Sequence, residues 1–261
     1  GVLNLTPDSF SDGGKYTKTK MGEQQAKKLI KDGCGIIDIG GEATNPGSND
    51  VNKNNEWKRI HPTLSRIKNF KKFISLDTRQ SSIMRKGIKN KVNLINDVSG
   101  LEYDLNTVQV LRETNIPFVI HHMQGEPKTM QKKPRYNNVL LDIYDFFENK
   151  IKYLRSKGIK HNNIILDPGI GFGKNLKHNI TLLRNISIFH SLGFPVMLGT
   201  SRKRFIKGLS GINDSKERIG GTIASVLFLL SQGVQIFRVH NVNEVKQGIL
   251  VFRKILSNFK N

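Results

Sequence analysis

The amino-acid sequence predicts an α/β protein with a single (β/α)8 domain, a TIM barrel. Short apolar runs alternate with longer amphipathic runs along the whole chain. The length of 261 residues is about that of one such barrel. Neither a low-complexity tract nor a break in composition marks a second domain. The same alternation also allows an open, doubly wound sheet, which is the alternative.

Eight runs are predicted to be buried parallel strands, because their apolar residues occupy both faces. They span residues 2–5, 35–39, 73–77, 92–96, 118–121, 164–167, 196–199 and 235–239. Eight strands that alternate with helices in one domain favour a closed barrel over an open sheet.

Apolar residues at helical spacing predict helices over residues 21–31, 176–192, 216–232 and 242–256. Polar segments over residues 6–20, 41–55 and 123–137 are predicted to be loops. Loops of this length in a compact domain are commonly functional. For these three segments the prediction is either a lid over a functional site or a disordered segment.

The formal net charge of +21 raises the question of nucleic-acid binding. The lysines are spread along the chain, and no basic block alternates with aromatic residues. We therefore expect a solvated basic surface without a nucleic-acid partner. The positive field of such a surface favours anionic substrates.

Cysteine and hydropathy patterns exclude further classes. The single cysteine, Cys34, rules out an internal disulfide framework and is predicted to be a buried thiol. No apolar run reaches the roughly 20 residues that cross a bilayer, and no signal peptide is recognisable. A cytoplasmic protein without a membrane partner is therefore predicted. Because the chain starts within a predicted strand and without Met, we expect the domain, residues 1–261, to lack a short N-terminal segment.

Polar residues follow nearly every predicted strand. In chain order they are Asn4, Glu42, Asp77, Arg79, Asn96, Asp97, His121, His122, Asp167, Arg202, Lys203, Arg238 and His240. In a TIM barrel the carboxyl ends of the strands meet at one face, where the active site lies. Solvent exposure of strand ends explains a few of these residues, but not charged groups next to nearly every apolar run.

The residue types at this face indicate a substrate with a polar ring and an anionic group. Carboxylates and amides match the donors and acceptors of a heterocycle, whereas Lys203, Arg238 and His240 can bind an anion such as diphosphate. His121 and His122 are neighbours on a strand and point to opposite faces, so packing or hydrogen bonding is predicted for them rather than a shared metal. The segment 167–174 departs from the P-loop pattern, since Asn175 replaces Ser or Thr.

Seven motifs carry a resemblance to a known family. They are NLTPDSFSDGG (4–14), DIGGEATNPG (38–47), SLDT (75–78), IND (95–97), DPGIGFGK (167–174), SRK (201–203) and RVH (238–240). In this order they resemble the dihydropteroate synthases, and the resemblance covers essentially the whole chain. Asn and Asp at strand ends also fit the pterin-binding domain of folate-dependent methyltransferases, which is the alternative.

The resemblance implies a transferase of folate biosynthesis. Such an enzyme joins p-aminobenzoate to 6-hydroxymethyl-7,8-dihydropterin diphosphate and releases pyrophosphate. The implied pterin site comprises Asp77, Asn96, Met123, Asp167, Lys203 and Arg238. The implied diphosphate site comprises Asn4, Thr44, Arg238 and His240, with Mg²⁺ at Asn4. The implied p-aminobenzoate site comprises Phe10, Thr44, Pro46, Phe172, Ser201 and Lys203.

The resemblance also implies roles in catalysis for Asp167, Lys203, Arg238 and His240. Cationic groups neutralise the leaving diphosphate, and a carboxylate such as Asp167 stabilises positive charge on the pterin. Two small-molecule substrates, sulfonamide inhibitors and a homodimer formed through the last helices are expected. One departure concerns the second loop, where the family usually reads Ser-Thr-Arg-Pro-Gly. Here Asn45 replaces the arginine, so one cation beside the diphosphate is missing.

Overall fold

The computed structural model describes residues 1–6, 15–44, 47–48 and 50–257, with backbone only for residues 15–18. Phe10, Asn45 and Pro46, for which the sequence and the resemblance suggest binding roles, lie outside the described residues. Among the described residues, no helix combines the length and the apolar character needed to cross a bilayer.

The described strands form a closed parallel barrel. They are β1 (Val2–Asn4), β2 (Ile36–Gly40), β3 (Phe73–Asp77), β4 (Leu94–Asp97), β5 (Phe118–His121), β6 (Ile164–Asp167), β7 (Met197–Leu198) and β8 (Ile236–Phe237). Strands β1 to β6 pair in chain order, and β7 pairs with β8. A bridge between Leu166 and Val196 joins β6 to β7. Val2 N donates to Val239 O at 3.0 Å and closes the ring. The predicted barrel is therefore confirmed.

Helices alternate with the strands and cover the barrel. Those described are α1 (Lys15–Lys31), α2 (Lys53–Ile67), α3 (Ser81–Lys89), α4 (Thr107–Thr114), α5 (Val139–Ser156), α6 (Leu176–Arg184), α7 (Arg204–Ser210), α8 (Ile219–Ser231) and α9 (Val242–Leu256). Short 3-10 helices span His161–Asn163 and Ile186–Leu192. Cys34 is a buried free thiol, as predicted.

Some predicted boundaries are wrong. Residues 15–20, predicted to be loop, form the first turns of α1, which the periodicity misses because this stretch has few apolar residues. The helix predicted over 176–192 is interrupted at Asn185, whose side-chain amide donates to Thr181 O at 2.8 Å. Such a bond competes with the helical ladder. The strands β7 and β8 are shorter than predicted, and the sequence predicts no bounds for the helices α2, α3, α4, α5 and α7.

Apolar side chains fill the barrel interior below its mouth. Ile36, Leu94, Val119, Ile165, Met197 and Ile236 form this cluster, one from each of six strands. A larger cluster lies between the barrel and the helices and includes Leu3, Ile37, Ile39 and Leu76. Side chains alternate along a strand, so residues two positions beyond the interior cluster also point inward. The fold thereby determines which side chains line the mouth.

Candidate active site

A ring of polar side chains lies directly above the apolar interior cluster. Counting two residues onward from Ile36, Leu94, Val119, Ile165 and Ile236 gives Asp38, Asn96, His121, Asp167 and Arg238. Asp38, Asn96, His121 and Asp167 are buried. Buried polar groups need hydrogen-bond partners. The bonds that these groups make, and those that they lack, therefore indicate which kind of ligand fits the barrel mouth.

Arg238 links β8 to two neighbouring strands across the mouth. Its Nε donates to Asp38 Oδ2 at 2.5 Å, and its Nη2 donates to Asp77 Oδ2 at 2.9 Å. The guanidinium side chain remains 26% exposed. Burial opposes its charge, but the two carboxylates raise the pKa of Arg238 above its ordinary value. Arg238 is therefore a fixed cation that still reaches solvent.

The two carboxylates that share Arg238 differ in their protonation. Burial alone raises the pKa of Asp38, but Arg238 and a bond from Ser75 hold it below the usual value. Burial raises the pKa of Asp77 to about 8, and the charge of Asp38 adds to this effect against the attraction of Arg238. Of the two, Asp38 is therefore the stronger acid, and Asp77 is the carboxyl that takes up a proton more readily.

Two buried oxygens in the ring lack partners. Asp38 Oδ1 and Asn96 Oδ1 make no hydrogen bond to any described residue. Asn96 is only 2% exposed. A buried polar atom without a partner costs about 1–3 kcal/mol, so such atoms in a barrel mouth indicate a ligand that supplies the missing donors.

Asp167 and His121 stand together on β6 and β5. Asp167 Oδ1 accepts a bond from Gly169 N at 2.8 Å, and burial raises the pKa of Asp167 to about 6. His121 Nε2 lies 4.0 Å from the same oxygen. His122 points away from the mouth, with Nδ1 2.9 Å from Lys174 Nζ. The prediction that the two histidines face opposite sides is confirmed.

Lys203 and Phe172 form one wall of the mouth. Lys203 Nζ donates to Ile170 O at 2.6 Å and stands 4.2 Å from the centroid of the Phe172 ring. Burial lowers the pKa of Lys203 to about 8, against the attraction of Asp167. The Phe172 ring also meets the His121 ring edge-on, at 4.4 Å between centroids. An apolar ring with an adjacent cation suits an aromatic carboxylate.

Burial favours the neutral form of the His240 side chain. Its Nδ1 lies 3.0 Å from Ser201 Oγ, and its backbone N donates to the same oxygen at 3.2 Å. Burial, helped by the charges of Arg202, Arg238 and Lys203, lowers the pKa of His240 to about 3. His240 stays a predicted diphosphate-binding residue. It can serve an anion as a hydrogen-bond donor.

Arg202 has a structural role. It adopts a left-handed backbone conformation with φ of 63°, and its Nε and Nη2 both donate to Asn241 Oδ1, at 3.1 and 2.7 Å. Of the neighbouring cations, Lys203 is thus the one beside Phe172, as the resemblance implies.

The remaining predicted residues lie around the rim. Asn4 is half-buried at the end of β1 and lies in register with Gly40, which in turn lies in register with Asp77. Thr44 and Met123 are half-buried in the loops that follow β2 and β5. No direct contact joins Thr44 or Met123 to the polar ring among the described bonds, so their binding roles stay predictions.

Sequence reasoning missed Asp38 as a site residue. It occurs in the middle of an apolar run, whereas the other polar residues of the site stand at or after the ends of such runs. A charged residue inside a buried strand, at the spacing that points inward, was the available signal. Lys174 was also missed, because a lysine within a glycine-rich loop gives no sign that it is buried.

The described residues offer no cluster for a protein-held metal ion, since no group of three His, Cys, Asp or Glu side chains converges among them. Asn4 supplies one amide oxygen at the rim. Mg²⁺ prefers oxygen ligands and commonly keeps several waters while it binds substrate phosphates. Asn4 therefore fits an ion that arrives with a phosphorylated substrate.

Comparisons with known proteins identify the family of the chain. The family model described as pterin binding enzyme matches residues 1–240. The dihydropteroate synthase of Escherichia coli (strain K12) is 38% identical over 262 residues, covering 100% of this chain and 92% of the relative. That of Bacillus subtilis (strain 168) is 40% identical over 246 residues, covering 94% and 84%. The chain is a pterin-binding enzyme, and it belongs to the dihydropteroate synthase family.

Solved structures of this family resemble the chain along its length. The Yersinia pestis dihydropteroate synthase with a sulfonamide drug has a TM-score of 0.92 at 36% identity, covering 99% of this chain and 94% of that one. The Xanthomonas albilineans enzyme with 4-aminobenzoic acid has a TM-score of 0.93 at 31% identity, covering 99% and 92%. The same enzyme with 7,8-dihydropteroate has a TM-score of 0.89 at 30% identity, covering 99% and 93%.

Proposed function

We propose that this chain condenses 6-hydroxymethyl-7,8-dihydropterin diphosphate with p-aminobenzoate, giving 7,8-dihydropteroate and pyrophosphate in folate biosynthesis. One observation carries the proposal: the ring above the interior cluster contains unpartnered oxygens of Asp38 and Asn96 together with the cation Arg238. A polar heterocycle that bears an anion satisfies both features. The family to which the chain belongs supports the same reaction.

The pterin ring is proposed to bind Asp77, Asn96 and Asp167. Its amino group and ring N–H are donors, while its carbonyl oxygen and ring nitrogens are acceptors. Asn96 Oδ1 lacks a donor and can accept from the ring, while the raised pKa of Asp77 makes it the more readily protonated carboxyl of the pair it forms with Asp38. Arg238 and Met123 flank the ring in this proposal.

p-Aminobenzoate is proposed to bind against Phe172. Its carboxylate is held near Lys203, which is cationic below about pH 8, and near Ser201. Thr44, together with Phe10 and Pro46 outside the described residues, completes this subsite as predicted. Sulfonamides, which share the aniline ring of p-aminobenzoate, are proposed to compete for the same place.

The diphosphate is proposed to bind Asn4, Thr44, Arg238 and His240. Arg238 supplies a fixed positive charge, and His240 supplies a hydrogen bond. Asn4 and the diphosphate would hold Mg²⁺, which would add to the neutralisation of the leaving group. We expect the Asn4→Ala variant to bind pyrophosphate more weakly than the wild type when Mg²⁺ is present. Calorimetry measures this affinity.

The bond changes follow from these positions. The aniline nitrogen forms a C–N bond to the exocyclic methylene, and the C–O bond to diphosphate breaks with its electron pair on oxygen. The anilinium proton is then lost to solvent. As the C–O bond weakens, positive charge develops on the pterin, and the carboxylate of Asp167 beside the ring stabilises it. No covalent bond to the protein is required.

Formation of 7,8-dihydropteroate tests the proposal. Purified protein is mixed with both substrates and Mg²⁺, and the product is measured by chromatography. We expect product only when both substrates are present. Pterin binding without product would instead support the methyltransferase-type alternative and contradict the synthase assignment.

A homodimer through the last helices is also proposed. Phe228 on α8 and Leu250, Val251, Ile255 and Leu256 on α9 are exposed apolar side chains, and apolar patches of this kind commonly mark interfaces. A Leu250→Lys variant is expected to shift the mass measured by light scattering from dimer to monomer. A wild-type monomer at micromolar concentration would contradict the proposal.

A further inference from the structure

His121 presents a hydrogen-bond acceptor at the barrel mouth that the family pattern does not assign. Its Nδ1 lies 3.1 Å from Val98 O. A carbonyl oxygen can only accept, so Nδ1 carries the hydrogen. Burial and the nearby charges of Lys203 and Lys174 lower the pKa of His121 well below its ordinary value. The imidazole is therefore neutral, and Nε2 carries a free lone pair.

The orientation of the His121 ring is fixed on three sides. Val98 O holds Nδ1, and the Phe172 ring packs edge-on at 4.4 Å. The backbone of Gly169 passes so close that a Cβ there would lie 2.9 Å from His121 Cε1. A ring held in this way keeps its Nε2 in one place. Such preorganisation is what a binding group requires.

Two acceptors face each other at this point. His121 Nε2 and Asp167 Oδ1 are 4.0 Å apart, which is too long for a hydrogen bond between them. Among the described residues, Asp167 Oδ1 already receives Gly169 N, and no donor is bonded to His121 Nε2. Two acceptors at this separation can both lie at hydrogen-bond distance from a single nitrogen placed between them. The arrangement therefore matches an N–H-bearing edge of a ligand.

We propose that His121 is a further substrate-binding residue, whose Nε2 accepts, beside Asp167, an N–H of the pterin ring. This inference rests on the proposed function, since it concerns the same substrate. In this position His121 selects for a heterocycle that presents a donor edge. If a ring presents an acceptor at this point, its lone pair is repelled by the lone pairs of His121 Nε2 and Asp167 Oδ1, so such a ring binds more weakly.

Two substitutions test the roles of the two ring nitrogens of His121 independently. In His121→Asn the amide nitrogen can replace Nδ1 and keep the bond to Val98 O, while the acceptor at Nε2 is lost. In His121→Gln the longer side chain can place its oxygen near the Nε2 position, while the bond to Val98 O is lost. His61, an exposed histidine on α2 whose Nε2 lies 3.2 Å from Ser65 Oγ, provides the matched control as His61→Asn.

The test measures the KM for the pterin diphosphate and for p-aminobenzoate in each variant, with thermal unfolding to check the fold. We expect His121→Asn to raise the pterin KM about 10-fold, with His121→Gln within about 3-fold of the wild type. The KM for p-aminobenzoate and the His61→Asn variant should change by less than about 2-fold. If His121→Gln is the more impaired, or if both variants match the wild type, the inference is overturned. A wild-type protein that forms no product would instead overturn the proposed function.

Discussion

Two lysines donate to backbone carbonyl oxygens of the same loop, and they differ in how many of their donors remain free. Lys174 Nζ reaches Phe172 O at 2.9 Å, His122 O at 3.3 Å and His122 Nδ1 at 2.9 Å. Lys203 Nζ reaches Ile170 O at 2.6 Å. An ammonium has three hydrogens, so all three of Lys174 are used. Within the described part of the chain, Lys203 uses one.

The number of free donors indicates that Lys174 holds the loop in place and that Lys203 can bind a ligand. Lys174 is 2% exposed, and burial lowers its pKa well below the ordinary value. It fixes the loop that carries Phe172 to the end of β5. Lys203 is half-buried beside the Phe172 ring and retains donors for substrate. Both are lysines that reach carbonyl oxygens of this loop, so their remaining hydrogen-bonding capacity is what distinguishes them.

The largest effect is expected for Lys203→Ala. Removal of the cation and its free donors from the substrate site should lower turnover at least about 100-fold, while the melting temperature changes little. Lys207→Ala, on the exposed face of α7, is the control and should retain full activity. Turnover near that of the wild type in Lys203→Ala would refute the assignment.

Lys174→Met should show the opposite pattern. The variant leaves two carbonyl oxygens and His122 Nδ1 without a donor, and relief of a buried charge offsets part of that cost. We expect a loss of about 2–4 kcal/mol in the free energy of unfolding, measured in urea. Turnover at a temperature where the variant is folded should stay within about 5-fold. Unchanged stability with lost turnover would show that Lys174 acts on substrate.

The pH dependence sharpens the comparison further. Because the pKa of Lys203 is lowered to about 8, its cation is present below that pH and disappears above it. We expect kcat/KM for p-aminobenzoate to fall by up to about 10-fold per pH unit above pH 8. Lys203→Arg, which keeps its charge at these pH values, should flatten the decline. A wild-type profile that stays level to pH 9.5 would contradict the role of Lys203.

The smallest effect is expected for Asn45→Arg. Asn45 lies outside the described residues, and the prediction rests on the family pattern, in which an arginine stands there. An added cation should lower the KM for the pterin diphosphate about 3-fold at low salt, and less at high salt. The KM for p-aminobenzoate serves as the internal control. An unchanged pterin KM would remove position 45 from the diphosphate site.

The sequence predicts the barrel well, for a physical reason. Buried parallel strands are apolar on both faces, so runs such as 73–77, 118–121 and 164–167 show their full extent. Strands β7 and β8 are shorter than predicted, although Val196 and Val239, which lie just outside them, still bond to the neighbouring strands. The start of α1 was missed, since residues 15–20 contain few of the apolar residues that reveal helical periodicity.

The candidate site was predictable only in part. Asp77, Asn96, Asp167 and Arg238 follow apolar runs and could be recognised by position. The partners could not, because the bond from Arg238 to Asp38 joins residues 200 positions apart in the chain. The distinction between His121 and His122 follows from strand alternation, but which of them faces the mouth depends on the register of β5.

The central claim is that the barrel mouth transfers the pterin from diphosphate to p-aminobenzoate. Its most direct test is the release of pyrophosphate from the pterin diphosphate in the presence of Mg²⁺, measured together with 7,8-dihydropteroate. The account predicts one pyrophosphate per dihydropteroate, dependence on p-aminobenzoate, and loss of both signals in Lys203→Ala. Bound pterin diphosphate without pyrophosphate release on addition of p-aminobenzoate would contradict it.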